Sequence, residues 1–294
     1  MLVASFFFAT MAVCVKIASQ WFNSAELVCY RGLIGMLLMW LWARSRGETL
    51  ATRYPGMHAW RSLVGVLSLG AWFYALAWLP LATAMTLNYM SSVWVAAFLV
   101  GGALIAWNPR GGSPLPARQG ALALTVVAGF TGVLLMLRPT VEQQQVFAGL
   151  VGLMSGLLAA FAYLQVMALG KIGEPEGRTV FYFAVGSAVA GAVGMAVTGV
   201  SRWDWPHALW LLPVGVLASL GQLCMTRAFS RGPTLVVANL QYSGIVFGAL
   251  YSLLLFGDRI PLAGWAGMAL IVASGIAATV LRSRAAPDAP AEEH

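Results

Sequence analysis

The stretch from Ser62 to Pro109, SLVGVLSLGAWFYALAWLPLATAMTLNYMSSVWVAAFLVGGALIAWNP, contains no Lys, Arg, Asp or Glu. A helix that crosses a bilayer takes about 20 apolar residues, so this segment is long enough to cross twice, with Pro80 marking a tight turn between. The pattern recurs outward from it. Residues 119–137, 143–170, 179–201, 205–226, 232–257 and 260–281 are likewise free or nearly free of charge. The spacing predicts ten spans, at 2–21, 26–43, 62–79, 83–106, 119–137, 148–169, 179–199, 208–227, 233–256 and 263–281. Gly232-Pro233 makes a second very short turn, and Asn108 to Pro114 is a connector rich in chain breakers. The expected fold is therefore an all-α polytopic membrane protein.

Composition agrees. Of 294 residues 60% are hydrophobic and 9% are charged, against about 25% charged in a soluble domain. The net charge of +7 would raise nucleic acid as a partner for a soluble protein. Here the basic residues sit between spans, where they read as orientation signals and contacts to lipid headgroups, so no nucleic acid is expected. Cys14, Cys29 and Cys224 lie in apolar surroundings without CxxC spacing, and His58, His207 and His294 are scattered. No metal site and no cofactor are expected. Lys16 follows the first apolar run, so that run reads as a span and not as a cleaved leader.

Lys and Arg set the orientation. With the N-terminus in the cytoplasm, the inside loops and tail hold twelve: Arg44, Arg46, Arg53, Arg61, Arg110, Arg118, Lys171, Arg178, Arg227, Arg231, Arg282 and Arg284. The outside connections hold four, Lys16, Arg138, Arg202 and Arg259, and Arg31 lies within a span. Both termini are expected on the cytoplasmic side of the inner membrane. The chain also resembles itself at an offset of 151. Ser68-Leu69-Gly70 aligns with Ser219-Leu220-Gly221, Ala77 with Ala228, Thr83 with Thr234, Asn88 with Asn239 and Ser92 with Ser243. Five spans per half means that the second half enters the membrane inverted. The expected organisation is a first repeat over 1–140, a second over 141–284 and a disordered tail over 285–294. Inverted repeats mark transporters that bind solute at the repeat interface near the midplane; a duplication that yields only a bundle is the plainer alternative.

The span-two stretch Glu26-Leu27-Val28-Cys29-Tyr30-Arg31-Gly32, the run from Gly221 to Gly248 and the two five-span halves resemble the EamA family of the drug/metabolite transporter superfamily. The likeness covers nearly the whole chain. Many members carry Gly-Glu at the ends of the fourth and ninth spans. This chain has Gly257-Asp258 at the second position and Ala106-Trp107-Asn108 at the first, which removes half of a symmetric acidic pair. The resemblance implies a metabolite carrier, in a family whose members handle amino acids, S-adenosylmethionine, riboflavin and similar solutes.

Polar side chains in hydrocarbon are costly, and so are candidates for function. Asn88, Ser91 and Ser92 in span four, and Asn239, Tyr242 and Ser243 in span nine, are placed at i+3 and i+4 on one helical face. They either strut neighbouring helices or line a cavity. Trp72, Tyr89 and Tyr242 lie nearer the midplane than the other aromatics and could stack on a planar or cationic solute. Gln165, Gln222 and Gln241 are weaker candidates. Lys16 and Arg31 fall toward the outside ends of their spans. One reading has Lys16 snorkelling and Arg31 bonding span-one carbonyls or Glu26; the other has both forming a positive rim for an anionic group.

No carboxylate is expected inside the membrane, which favours a facilitator or exchanger of a small polar metabolite over a proton-coupled exporter. No HExxH, GxSxG or GxxxxGK[ST] motif is present, so an intramembrane enzyme or an ATP-driven pump is not expected. A scaffold or receptor would display larger loops. Oligomeric state is not legible.

Overall fold

A computed structural model describes residues 1–91, 93–94, 97, 117–137, 143–232 and 234–283. The first half holds α1 (Leu2–Ala18), α2 (Ser24–Ser45), α3 (Pro55–Trp78), α4 (Leu81–Asn88) and α5 (Ala117–Leu137). The second holds α6 (Gln143–Lys171), α7 (Glu176–Thr198) and then a single helical turn, Trp205–Ala208, before α8 (Leu211–Arg231). It closes with α9 (Thr234–Gln241), α10 (Ser243–Phe256) and α11 (Leu262–Ser283). No strand occurs among the described residues. Seven helical segments are long and apolar enough to cross a membrane, and they coincide with expected spans two, three and six to ten. Span one and span five are represented by shorter apolar helices, and much of span four, Ser92 included, lies outside the described residues, as does the tail over 285–294.

Local chemistry explains several helix ends. Asn23 accepts from the Glu26 amide at 3.0 Å while Glu26 accepts from the Asn23 amide at 2.8 Å, a reciprocal cap that starts α2. Pro55 occupies the first turn of α3, where no amide donor is needed. Gly257, at φ +63°, ends α10 in the left-handed conformation. At 1.5 Å rise per residue the 22 residues of α2 span about 33 Å, a hydrocarbon core's thickness.

The helices pack as pairs. α2 lies against α7, α3 against α6, α1 against α8 and α5 against α11. Second-rank contacts join α2 to α8, α3 to α7, α1 to α10, α4 to α6 and α4 to α10. Glycine makes the α2–α7 pair close: a side chain at Gly32 would strike the Ala188 backbone, and one at Gly191 the Cys29 backbone. The outer surface is apolar, with Leu134 at 72%, Val197 at 81% and Leu254 at 77% exposed. A soluble protein avoids such a surface, and lipid satisfies it.

Spans four and nine are not continuous helices. α4 ends at Asn88, and after Tyr89 the Met90 amide bonds back three residues to Leu87 instead of four. At the corresponding place in the second half, the Tyr242 amide bonds to Asn239, again three residues back, between α9 and α10. The expected continuous stripes are thus interrupted in both spans. Gly156 of α6 abuts the Leu87 and Asn88 carbonyls at the first break, and Tyr89 packs over Gly244 at the start of α10.

Connections gather at two ends. At one end Glu174 meets His58, Nε2 to Oε1 at 2.9 Å, and Arg178, whose Nη1 lies 3.3 Å from both carboxylate oxygens. Arg178 Nη2 also donates to the Thr49 carbonyl at 2.9 Å, and Tyr182 Oη to the Leu50 carbonyl at 3.0 Å. At the other end Ser201 donates to Glu26 through its amide and hydroxyl, and Trp21 stacks on His207 with ring centres 3.6 Å apart. The loops that meet at each end are ones expected to share a side of the membrane.

Candidate functional site

A polar cavity lies at the centre of the bundle, with about 60 Å³ open to the centre of a water molecule. Its walls come from both halves: Phe8 and Met11 of α1, Arg31 of α2, the α3 face, Asn88 and Tyr89 at the α4 break, Tyr163 of α6, Phe183 of α7, and Gln222 and Met225 of α8. On α3 the wall is Arg61, Gly65, Ser68 and Trp72, at i, i+4, i+7 and i+11 along one face. Gly65 leaves room there for the Arg61 guanidinium and the Phe183 ring, which a side chain would displace.

Two arginines dominate the cavity. Arg31 and Arg61 are 4% and 3% exposed, and both guanidiniums lie over the Phe183 ring, at 5.0 and 4.1 Å from its centre. Arg31 Nη1 donates to Ser187 Oγ at 3.2 Å, and Arg61 Nη2 donates to Gln222 Oε1 at 3.4 Å. Arg31 Nε, Arg61 Nε, Arg61 Nη1 and Trp72 Nε1 are buried with no partner. Among the described residues no Asp or Glu lines the cavity. A contact with an aromatic face is worth about 2 kcal/mol when desolvated, whereas burying an ion costs several kcal/mol. Phe183 and the two side-chain bonds offset only part of that cost.

Of the candidate residues, the cavity brings together Arg31, Trp72, Asn88, Tyr89 and Gln222. Asn88 Nδ2 donates to Ser155 Oγ at 3.0 Å, which ties α4 to α6. Among the described residues Arg31 bonds neither Glu26 nor span-one carbonyls; it donates to Ser187 on α7 instead. Lys16 does not form a rim with it. Its Nζ donates to the Leu79 carbonyl at 2.7 Å and the Leu76 carbonyl at 3.3 Å, closing the last turn of α3. Lys16 lines a separate hollow of about 610 Å³ at the α1–α2 end. Gln165, Asn239, Tyr242 and Ser243 do not line the central cavity; Ser243 Oγ donates to the Leu240 carbonyl at 2.7 Å, and Tyr242 packs over Gly275 of α11. Ser92 lies outside the described residues.

Arg61, Tyr163 and Phe183 are not among the site residues that the sequence singles out. A charge reads as the boundary of a span, which puts Arg61 in an inside loop, yet α3 begins six residues earlier. Its spacing from Gly65, Ser68 and Trp72 is the signal that reveals it.

An apolar bundle enclosing a charged cavity shared by both halves defines a membrane transporter of small solutes, and comparison with known proteins agrees. No family model matches the chain. The pseudopaline exporter CntI of Pseudomonas aeruginosa strain UCBPP-PA14 is 33% identical over 276 residues, covering 93% of this chain and 92% of that protein. A transporter of Helicobacter pylori strain 26695 is 28% identical, covering 94% of this chain and 91% of the relative. A riboflavin transporter of Rhizobium johnstonii is 29% identical, covering 77% and 71%. The chain belongs to the transporter family that includes the pseudopaline exporter. A solved crystal structure, 19% identical, superposes with a TM-score of 0.65 over 96% of both chains, which supports the fold alone.

Proposed function

We propose that this protein is a secondary transporter of the EamA type, moving a small polar metabolite by alternating access of two inverted five-helix halves. The observation that carries the reading is the central cavity, whose polar walls are contributed by helices of both halves within an apolar bundle. The packing pattern supports the repeat. Advancing each span by five, cyclically, turns the α3–α6 pair into α8–α1, α2–α8 into α7–α3 and α1–α10 into α6–α4, and each of these contacts is made. Gly35 and Gly186, related by the offset of 151, each face a serine on the third span of the opposite half, Ser219 and Ser62. The helix breaks at Tyr89–Met90 and Tyr242 add the interrupted spans common at such sites.

In this reading the Glu174–His58–Arg178 cluster is the cytoplasmic gate, and the hollow beside Lys16 the outer vestibule. The relatives, a pseudopaline exporter and a riboflavin transporter, favour carriage of a small organic metabolite. Facilitated diffusion or exchange is the mechanism in this reading, because among the described residues no carboxylate lines the cavity to take up a coupling proton. Flux of a solute panel into proteoliposomes tests the transport reading: the protein should raise the initial rate for at least one solute, with saturation. A scaffold would leave every rate at that of empty liposomes.

A further inference from the structure

We infer that the cavity takes a small solute bearing two carboxylates, held between Arg31 and Arg61. The inference rests on the transport reading only in treating this cavity as the solute site. The charge argument comes first. Two guanidiniums face one ring, so they are separated by no more than the sum of their distances to Phe183, and among the described residues no acidic side chain lines the cavity they share. Like charges so close in a low-dielectric interior repel, and one carboxylate would neutralise only half of the charge.

The hydrogen-bond inventory points the same way. The four unpartnered buried polar atoms on the cavity wall, on Arg31, Arg61 and Trp72, are all N–H donors. A ligand that completes them must be rich in acceptors. A carboxylate is acceptor-only and matches the guanidinium fork with two parallel bonds. Amines and ammonium groups find no acid here. Size sets the remaining limit. About 60 Å³ of water-centre space holds roughly four to six waters, or about 120–180 Å³ of liquid volume, which suits a chain of a few carbons between two carboxylates better than an extended molecule.

Calorimetric titration in nanodiscs of zwitterionic phosphatidylcholine tests this with glutarate, butyrate and dimethyl glutarate, which carry two, one and no carboxylates at similar length. Glutarate should bind at least tenfold more tightly than butyrate, and the diester should not bind. Arg31→Gln and Arg61→Gln should each erase the preference for glutarate over butyrate, and Arg61→Lys should restore part of it. Equal binding of glutarate and butyrate, or an unchanged preference in both Gln variants, overturns the inference. So does inorganic phosphate binding more tightly than glutarate, since a compact oxyanion would then be the ligand. If a Gln variant fails to fold, the wild-type series still decides. Glutarate binding without flux would sink the transport reading and leave this one standing; flux of a neutral or cationic solute without glutarate binding would do the reverse.

Discussion

Two clusters of charge sit in this protein under opposite regimes. At the α2–α3 end, the Glu174 carboxylate is bonded by His58 and Arg178, and Arg178 bonds Thr49 as well, leaving His58 Nδ1 buried without a partner but every charge paired. In the central cavity Arg31 and Arg61 share a phenylalanine ring, one serine and one glutamine, with buried donors left over. Satisfied charge holds structure, whereas unsatisfied charge in hydrocarbon waits for a ligand. The first cluster should therefore answer to measurements of stability and the second to measurements of binding.

The largest expected effect lies in the cavity. Arg61→Gln should weaken binding of a dicarboxylate by about 2–4 kcal/mol, upward of thirtyfold. The melting temperature of the empty protein should stay level or rise, because an uncompensated buried charge has gone. A fall in both affinity and melting temperature would place Arg61 among the structural ion pairs and erase the contrast. Next in size, Glu174→Ala should cost about 1–3 kcal/mol of stability, since it strands His58 and Arg178, and leave dicarboxylate affinity within twofold of wild type.

The same carboxylate gives the contrast a pH dependence. Burial pushes the Glu174 carboxyl up, but hydrogen bonds from His58, Thr52 and Arg178, with the Arg178 charge, outweigh it and hold the group below its ordinary value. A lowered folded pKa contributes stability that is full above the unfolded value and is lost as pH falls through the folded one. Wild type should thus lose melting temperature on acidification below the ordinary carboxylate range, and Glu174→Gln should lose less over that interval. Parallel curves for the two proteins would remove Glu174 from the account.

A smaller effect separates the two asparagines. Asn88 lines the cavity and bonds Ser155, so Asn88→Ala should weaken binding about tenfold. Asn239 does not line it, and Asn239→Ala should move melting temperature only. Smallest of all, Lys16→Met should shift melting temperature slightly, through the freed Leu76 and Leu79 carbonyls, and leave binding unchanged. Equal binding losses at Asn88 and Asn239 would return the site to the two matched stripes.

The span pattern was legible because hydrocarbon tolerates so few residue types that charge-free runs delimit helices directly. The five candidates that line the cavity, Arg31, Trp72, Asn88, Tyr89 and Gln222, stood out as polar or aromatic groups within spans. Arg61 did not, because one residue pattern marks both a helix end and a buried cation. Symmetry misled as well. Asn239 repeats Asn88 in sequence, yet the arginines have Tyr182 and Leu212 at the corresponding positions. Helix contacts correspond at that offset where the side-chain chemistry does not. The helix breaks were invisible, since Leu87 to Ser92 contains neither Pro nor Gly, and the close approach of Gly156 and Gly244 is set by other helices.

Counterflow tests the central claim most directly. Proteoliposomes are loaded with unlabelled glutarate, labelled glutarate is supplied outside, and membrane potential and pH are clamped equal on both sides. Transient accumulation of label above its equilibrium level, absent with Arg61→Gln, is the predicted result. Label that enters only at the leak rate of empty liposomes, or only under an imposed pH gradient, would contradict it.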